Sequence, residues 1–192
     1  MSAPFAVQWA HNAVFFENDE FVLRELDFES DGVLTSANLA GIANVSSGMR
    51  LLELDLEAIR ERIEKIPVVE EAVVSRAMPD RLEIQVRERT PIAWISCPPL
   101  GIRPGDMERG FLVDENGVLF RCLDLTEEIQ ALPIIENFAM ADPLEGTPLF
   151  DEAMLGAVEL VSRSPGLAPD GSMDVHLVRV RNEWSLQCRY RN

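Results

Sequence analysis

The most regular pattern of apolar and polar positions lies at Val69–Ala93, where an apolar run, a turn centred on Pro79 and a strictly alternating run follow one another. Leu82, Ile84 and Val86 share one parity and Glu83, Gln85 and Arg87 the other, which predicts a strand with one packed and one wet face. The packed face of this hairpin is expected to carry Val69, Ala72, Val74, Leu82, Ile84 and Val86. Upstream, alternation from Leu26 ends at Asp31-Gly32, a strand closed by a turn. Thr35 stands where a cap belongs ahead of Leu39, Ile42 and Ala43, giving a short helix that stops before Ser46-Ser47-Gly48. A second helix starts after Asp55, because Leu56, Ile59, Ile63 and Ile66 recur at three- and four-residue steps. Pro67 prevents its continuation.

The order strand, helix, helix, strand, strand predicts an α+β unit whose two helices cover one face of a three-stranded sheet. The last strand is expected in the centre. That leaves the first strand and Ala72–Ala77 as edges, with unpaired N–H and C=O groups that could accept a strand from a partner.

The second half reads as mainly β with one helix. Pro98–Gly105 is a Pro/Gly-rich connection and an expected boundary. Phe111, Val113, Val118 and Phe120 flank a turn at Asp114–Gly117, where Gly117 can take a positive φ at little steric cost. Pro133–Phe138 is a short apolar strand. Phe150, Met154, Ala157 and Val161 define one helix face, started near Pro148 and ended before Pro165-Gly166. Met173–Val180 reads as a strand whose parity slips between Leu177 and Val178, as a bulge would require. In the final run, Trp184, Leu186, Cys188 and Tyr190 alternate with Ser185, Gln187, Arg189 and Arg191, giving a terminal strand with an open edge.

Composition narrows the functional classes. The 192 residues are 47% hydrophobic and 26% charged, as in an ordinary globular protein, and the formal net charge is −16. Such a charge repels a phosphate backbone or an anionic leaflet, which argues against nucleic-acid binding. No apolar run reaches about eighteen residues. Cys97, Cys122 and Cys188 match no metal spacing and read as buried or idle thiols. Two histidines, His11 and His176, are too few for a histidine-built triad or metal centre, and no phosphate-binding, zinc-protease or nucleophile-elbow motif occurs. Asp114-Glu115-Asn116-Gly117 lacks the repeated ligands of a calcium loop and reads as turn chemistry. No cofactor, metal or small-molecule substrate is expected.

Three features together carry a family resemblance. These are the β-α-α-β-β order, the spacing Val69-x-x-Ala72-x-Val74-x-Arg76-x-x-Pro79-x-x-Leu82-x-Ile84-x-Val86-x-Glu88-Arg89-x-Pro91-x-Ala93, and the downstream Phe111–Phe120. They cover Phe21–Phe120 and resemble the POTRA domain and following β-domain of the bacterial cell-division FtsQ/DivIB family. The resemblance implies a POTRA domain at 21–93 after a membrane-proximal tail at 1–20, then an FtsQ-type β-domain at 94–192, C-terminally shortened. It implies a single-pass inner-membrane protein whose transmembrane helix is absent from this chain and whose present part is extracytoplasmic or periplasmic. It also implies a non-enzymatic divisome scaffold that helps control septal peptidoglycan synthesis, with protein partners resembling the FtsB–FtsL pair. A POTRA-bearing module of outer-membrane protein assembly or secretion is the alternative.

Candidate partner-binding residues are Ala72, Val73, Arg76 and Arg87 on the hairpin and Trp184 and Tyr190 on the terminal strand. Arg76, Arg81, Arg87 and Arg89 form a basic cluster in the sequence, open to two readings, a surface for acidic partner segments or intramolecular charge balance. Glu88, Arg89 and Pro91 mark the domain junction. Glu88 keeps the phase of the packed face, so its carboxylate requires a buried partner, read as a hydrogen-bonded lock between the two domains, with direct partner recognition as the alternative.

Overall fold

A computed structural model describes residues 21–141, 143–149, 151–164, 174–182 and 185–190. Phe150, Met173, Trp184 and the 1–20 tail, all used in the sequence reading, lie outside them. The chain forms two compact units, one ending at Glu88 and the other starting at Arg89.

In the first unit, β1 (Glu25–Ser30) is followed by α1 (Ser36–Ala43), α2 (Leu56–Glu64), β2 (Val69–Ala77) and β3 (Arg81–Glu88). The sheet order is β1-β3-β2, with β1 parallel and β2 antiparallel to the central β3. The last strand is central, as expected, and leaves β1 and β2 at the edges. Leu82, Ile84 and Val86 of β3 are buried, as are Leu39 and Ala43 of α1 and Ile59 and Ile63 of α2. Each fully buried aliphatic of this kind contributes roughly 1.5–3 kcal/mol.

Local chemistry sets the helix ends. Asp55 caps α2 by accepting from the Ala58 N–H at 3.1 Å. Asn44, at φ 53°, takes the left-handed conformation that ends α1, and Arg62 of α2 donates to the Ala43 carbonyl there. Val69 and Ala72 are both buried although their parities differ. A register shift between Val69 and Glu71 explains it, since one extra residue returns the side chains to the same face.

The second unit has β4 (Ala93–Ser96), β5 (Phe111–Val113), β6 (Leu119–Arg121), α3 (Glu127–Gln130), β7 (Ile134–Asn137), α4 (Glu152–Arg163), β8 (Val175–Asn182) and β9 (Ser185–Tyr190). They make a six-stranded mixed sheet of order β6-β5-β4-β7-β8-β9. β4, β7 and β8 run parallel at its centre, and α4 covers one face through Met154, Ala157, Val158 and Val161.

Several expectations shift. Pro98–Gly105 is not a linker but a turn inside this unit, opened by a short 3-10 helix at Pro98–Leu100 and closed by a Cys97–Ile102 bridge. A second helix, α3, joins the single one expected. Its four residues are too few for a period, but Thr126 caps it at the Ile129 N–H. Helix α4 starts after Asp151, which accepts from the Met154 N–H, and so begins later than Pro148. The slip in β8 falls between Val175 and Leu177, placing exposed His176 at the bulge.

Candidate partner-binding edges and the junction residues

The pleat of the first sheet separates residues that the sequence placed together. Arg76 lies opposite Leu82 and Arg87 opposite Glu71, so the first is on the helix-covered face and the second on the open face. Arg76 donates from Nε to the Leu51 carbonyl at 2.8 Å and from Nη2 to the Leu54 carbonyl, holding the loop before α2. Arg87 is half-exposed and pairs with Glu71 at 2.9 Å and with Glu70, contacts that push its guanidinium pKa up. Arg81 is 3.9 Å from Glu25, and Arg89 belongs to the second unit. The four arginines therefore form no common patch within the first unit: Arg76 lies on the covered face, Arg81 and Arg87 stand six residues apart on the open face with carboxylates of their own, and Arg89 belongs to the other unit.

Val73 projects from the open face and is 52% exposed, whereas Ala72 is buried. The Ala72 N–H donates to the Glu64 carboxylate of α2 at 3.3 Å. Since that N–H points away from β3, the same alternation aims the backbone groups of Val74 and Arg76 outward as well. The edge of β2 is capped at Ala72 by a side chain of its own unit, and the stretch from Val74 onward carries no such cap among the described residues. Glu64 is also held by Arg60, an i,i+4 pair that positions it. The i,i+4 spacing to Arg60 is visible in the sequence, but the contact with Ala72 is not, and Glu64 reads there only as part of a solvated helix face.

Glu88 is 9% exposed, and its Oε1 accepts from Ser30 Oγ at 2.6 Å and from the Leu34 N–H at 2.7 Å. The Glu88 N–H donates to Asp31 Oδ1 at 2.7 Å. A side chain at Gly32 would lie 2.3–2.7 Å from the Glu88 carboxylate atoms, so glycine leaves the space the carboxylate fills. These bonds tie the loop after β1 to the end of β3 within the first unit. Next in sequence, Arg89 pairs with Asp114 of the second unit at 2.7 Å, both largely buried. Asp114 Oδ1 accepts from the Asn116 and Val118 N–H groups, so one carboxylate both closes the β5–β6 turn and fixes Arg89. Turn chemistry was legible at Asp114; its ion pair was not. Pro91 is half-buried.

The two edges of the second sheet differ. Along β6, the Gly146 N–H donates to the Leu119 carbonyl at 2.8 Å, the Leu119 N–H to Thr147 at 3.4 Å, and Val118 bridges Pro148. β9 pairs only with β8 among the described residues. Tyr190 is 42% exposed on it, and Cys188 is half-buried. Cys97 and Cys122 are buried, and burial pushes the Cys122 and Cys188 thiols up, away from reactive thiolate.

An apolar cleft of about 320 Å³ is lined by Leu119, Met140, Leu144, Leu149 and Met154. Its polar members are engaged elsewhere, Asp151 as the α4 cap and Thr147 on the Leu144 carbonyl. Among the described residues no group of three or more His, Cys, Asp or Glu is placed to hold a metal, and no helix is long and apolar enough to cross a membrane.

Residues 21–89 match the family model described as POTRA domain, FtsQ-type. The chain is 26% identical over 153 residues to the cell division protein FtsQ of Syntrophotalea carbinolica, covering 80% of this chain and 50% of that protein. It is 26% identical over 171 residues to FtsQ of Anaeromyxobacter, covering 89% and 54% of the two chains. Against the cell division protein DivIB of Clostridium tetani it is 18% identical over 183 residues, 92% of this chain and 63% of the relative. The chain thus spans about half the length of the first two relatives.

Proposed function

We propose that the chain belongs to the FtsQ/DivIB family and is the extracytoplasmic part of a cell-division protein, a non-enzymatic scaffold that gathers division partners through strand edges. The observation that carries this reading is the FtsQ-type match at 21–89, a β-α-α-β-β unit followed by a sheet whose last strand, β9, pairs among the described residues with β8 alone. Strand edges recognise partners by main-chain hydrogen bonds, with alternate side chains adding specificity. Val73, Val74 and Ala77 on β2 and Arg189 and Tyr190 on β9 are the positions where an added strand would be read. Partners resembling the FtsB–FtsL pair are the expected occupants, and control of septal peptidoglycan synthesis is the expected outcome of that recruitment. The FtsQ and DivIB names of the relatives favour division over outer-membrane protein assembly.

The test is a titration of the complete extracytoplasmic region of the parent protein with a purified FtsB–FtsL pair. Measurable affinity, weakened by Arg189→Glu together with Tyr190→Ala while melting is retained, supports the scaffold reading. Absence of binding by the folded protein overturns it.

A further inference from the structure

The open face of the first sheet carries its charges in an arrangement that the unit itself does not neutralise. On β1 the outward side chains are Glu25, Asp27 and Glu29, all exposed. In the parallel register Asp27 lies opposite Glu83 and Glu29 opposite Gln85. Like charges directly opposite across a sheet are destabilising. The nearby cations are turned elsewhere: Arg81 towards Glu25, Arg87 to Glu70 and Glu71, and Arg24 towards Asp80 at 3.8 Å. Among the described residues, Asp27, Glu29 and Glu83 enter no ion pair, and with Gln85 they line a shallow cleft.

The backbone beside these carboxylates is also available. The Glu25 N–H points at β3, donating to the Asp80 carbonyl at 3.3 Å, and so does the Asp31 N–H, donating to Val86 at 3.4 Å. In a parallel pair successive residues alternate sides, so Leu26, Phe28 and Ser30 aim their N–H and C=O groups at the free edge. Leu26 and Phe28 are half-buried, leaving apolar surface on the packed side of that same edge. No described strand pairs there.

We propose that the free edge of β1 accepts an extended protein segment with Lys or Arg at alternate positions and aliphatic or aromatic residues between them. Its backbone pairs with Leu26 and Phe28, its cations stand opposite Asp27 and Glu29, and its apolar side chains cover the exposed flanks of Leu26 and Phe28. The cation nearest Asp27 relieves the Asp27–Glu83 repulsion, which gives binding a gain at a position where the free unit carries a cost. Charges at a sheet edge otherwise serve to repel added strands; here their sign selects which strand is admitted. The proposal goes beyond the division-scaffold reading and does not rest on it, because it concerns one edge of this chain and one partner chemistry.

The probe is the peptide acetyl-Lys-Val-Lys-Val-Lys-Val-amide, with the segregated acetyl-Lys-Lys-Lys-Val-Val-Val-amide as its equal-charge control. Affinity is measured by calorimetric titration, and amide exchange is followed residue by residue. The alternating peptide is expected to bind, to slow exchange at the Leu26 and Phe28 N–H groups, and to lose affinity about tenfold in Asp27→Asn/Glu29→Gln. A matched control, Glu57→Gln/Glu61→Gln on α2, is expected to bind as the parent does. Absence of binding, equal binding of the segregated peptide, equal loss in both variants, or binding without protection at Leu26 and Phe28 would overturn the proposal.

Discussion

The two faces of the three-stranded sheet are built from the same strands and behave as different materials. The inner face holds Leu82, Ile84 and Val86 against two helices and admits Arg76 only because its guanidinium is spent on two backbone carbonyls. On the outer face stand Asp27, Glu29, Glu83, Gln85 and Arg87, where each charge is solvated or shares a half-exposed pair. Arg76 and Arg87 belong to one hairpin and one residue type, yet the first bonds two backbone carbonyls and the second two exposed carboxylates. Residue type and nearness in sequence therefore say little about a charge's role until the register assigns its face.

The sharpest way to break this contrast is Ile84→Asp. A carboxylate would replace a 1%-exposed aliphatic with no partner in reach, so the first unit should lose its cooperative unfolding transition. Urea titration followed by amide exchange along β3 checks it, and a retained transition there would mean the inner face is wrongly assigned. Next in size is Arg76→Glu. Loss of charge-assisted bonds to Leu51 and Leu54 should cost about 1.5–3 kcal/mol. The denaturation midpoint should fall with an unchanged slope, and Arg76→Lys should recover part of the loss. An unchanged midpoint would return Arg76 to the candidates for partner recognition.

The elements that could be read from sequence were those with an unbroken period. β3 alternates over its whole length, and α2 repeats three- and four-residue steps after a capping aspartate, so both emerged with their packed residues. β4 did not, because Ala93, Trp94, Ile95 and Ser96 are all buried and a strand covered on both faces has no alternation. Helix α3 escaped by length; its end is held by the Trp94 indole donating to the Ile129 carbonyl, a contact thirty-five residues apart that no local pattern shows. The site residues follow the same rule. That Glu88 is buried and paired was implied by its phase, but the donors, Ser30 and Leu34, come from another strand and loop. The bond that caps the β2 edge from Glu64 depends on how a helix sits beside the sheet.

A smaller effect tests the outer face. Arg87→Glu removes a pair that is open to solvent and gathers three carboxylates at the end of the sheet, where water and salt screen them. The melting temperature at physiological salt is expected to stay within measurement error of the parent, falling only when salt is withdrawn. A drop at physiological salt comparable to that of Arg76→Glu would erase the distinction between the faces.

The smallest effect concerns the exposed charges of α2. The Arg60 guanidinium beside Glu57 holds that carboxyl below its usual range. A carboxyl whose pKa is lower folded than unfolded adds stability above its unfolded value, and that contribution disappears as the pH falls through the folded value. The parent should therefore exceed Glu57→Gln in stability by a small, constant margin above the ordinary glutamate range and lose that margin as the pH falls through the lowered folded value. Paired urea titrations across this range measure it, with high salt shrinking the margin at neutral pH. A margin that grew on acidification would have the wrong sign for a carboxylate stabilised by Arg60, and a large one at neutral pH would show that exposed pairs contribute to this unit on the scale of its interior.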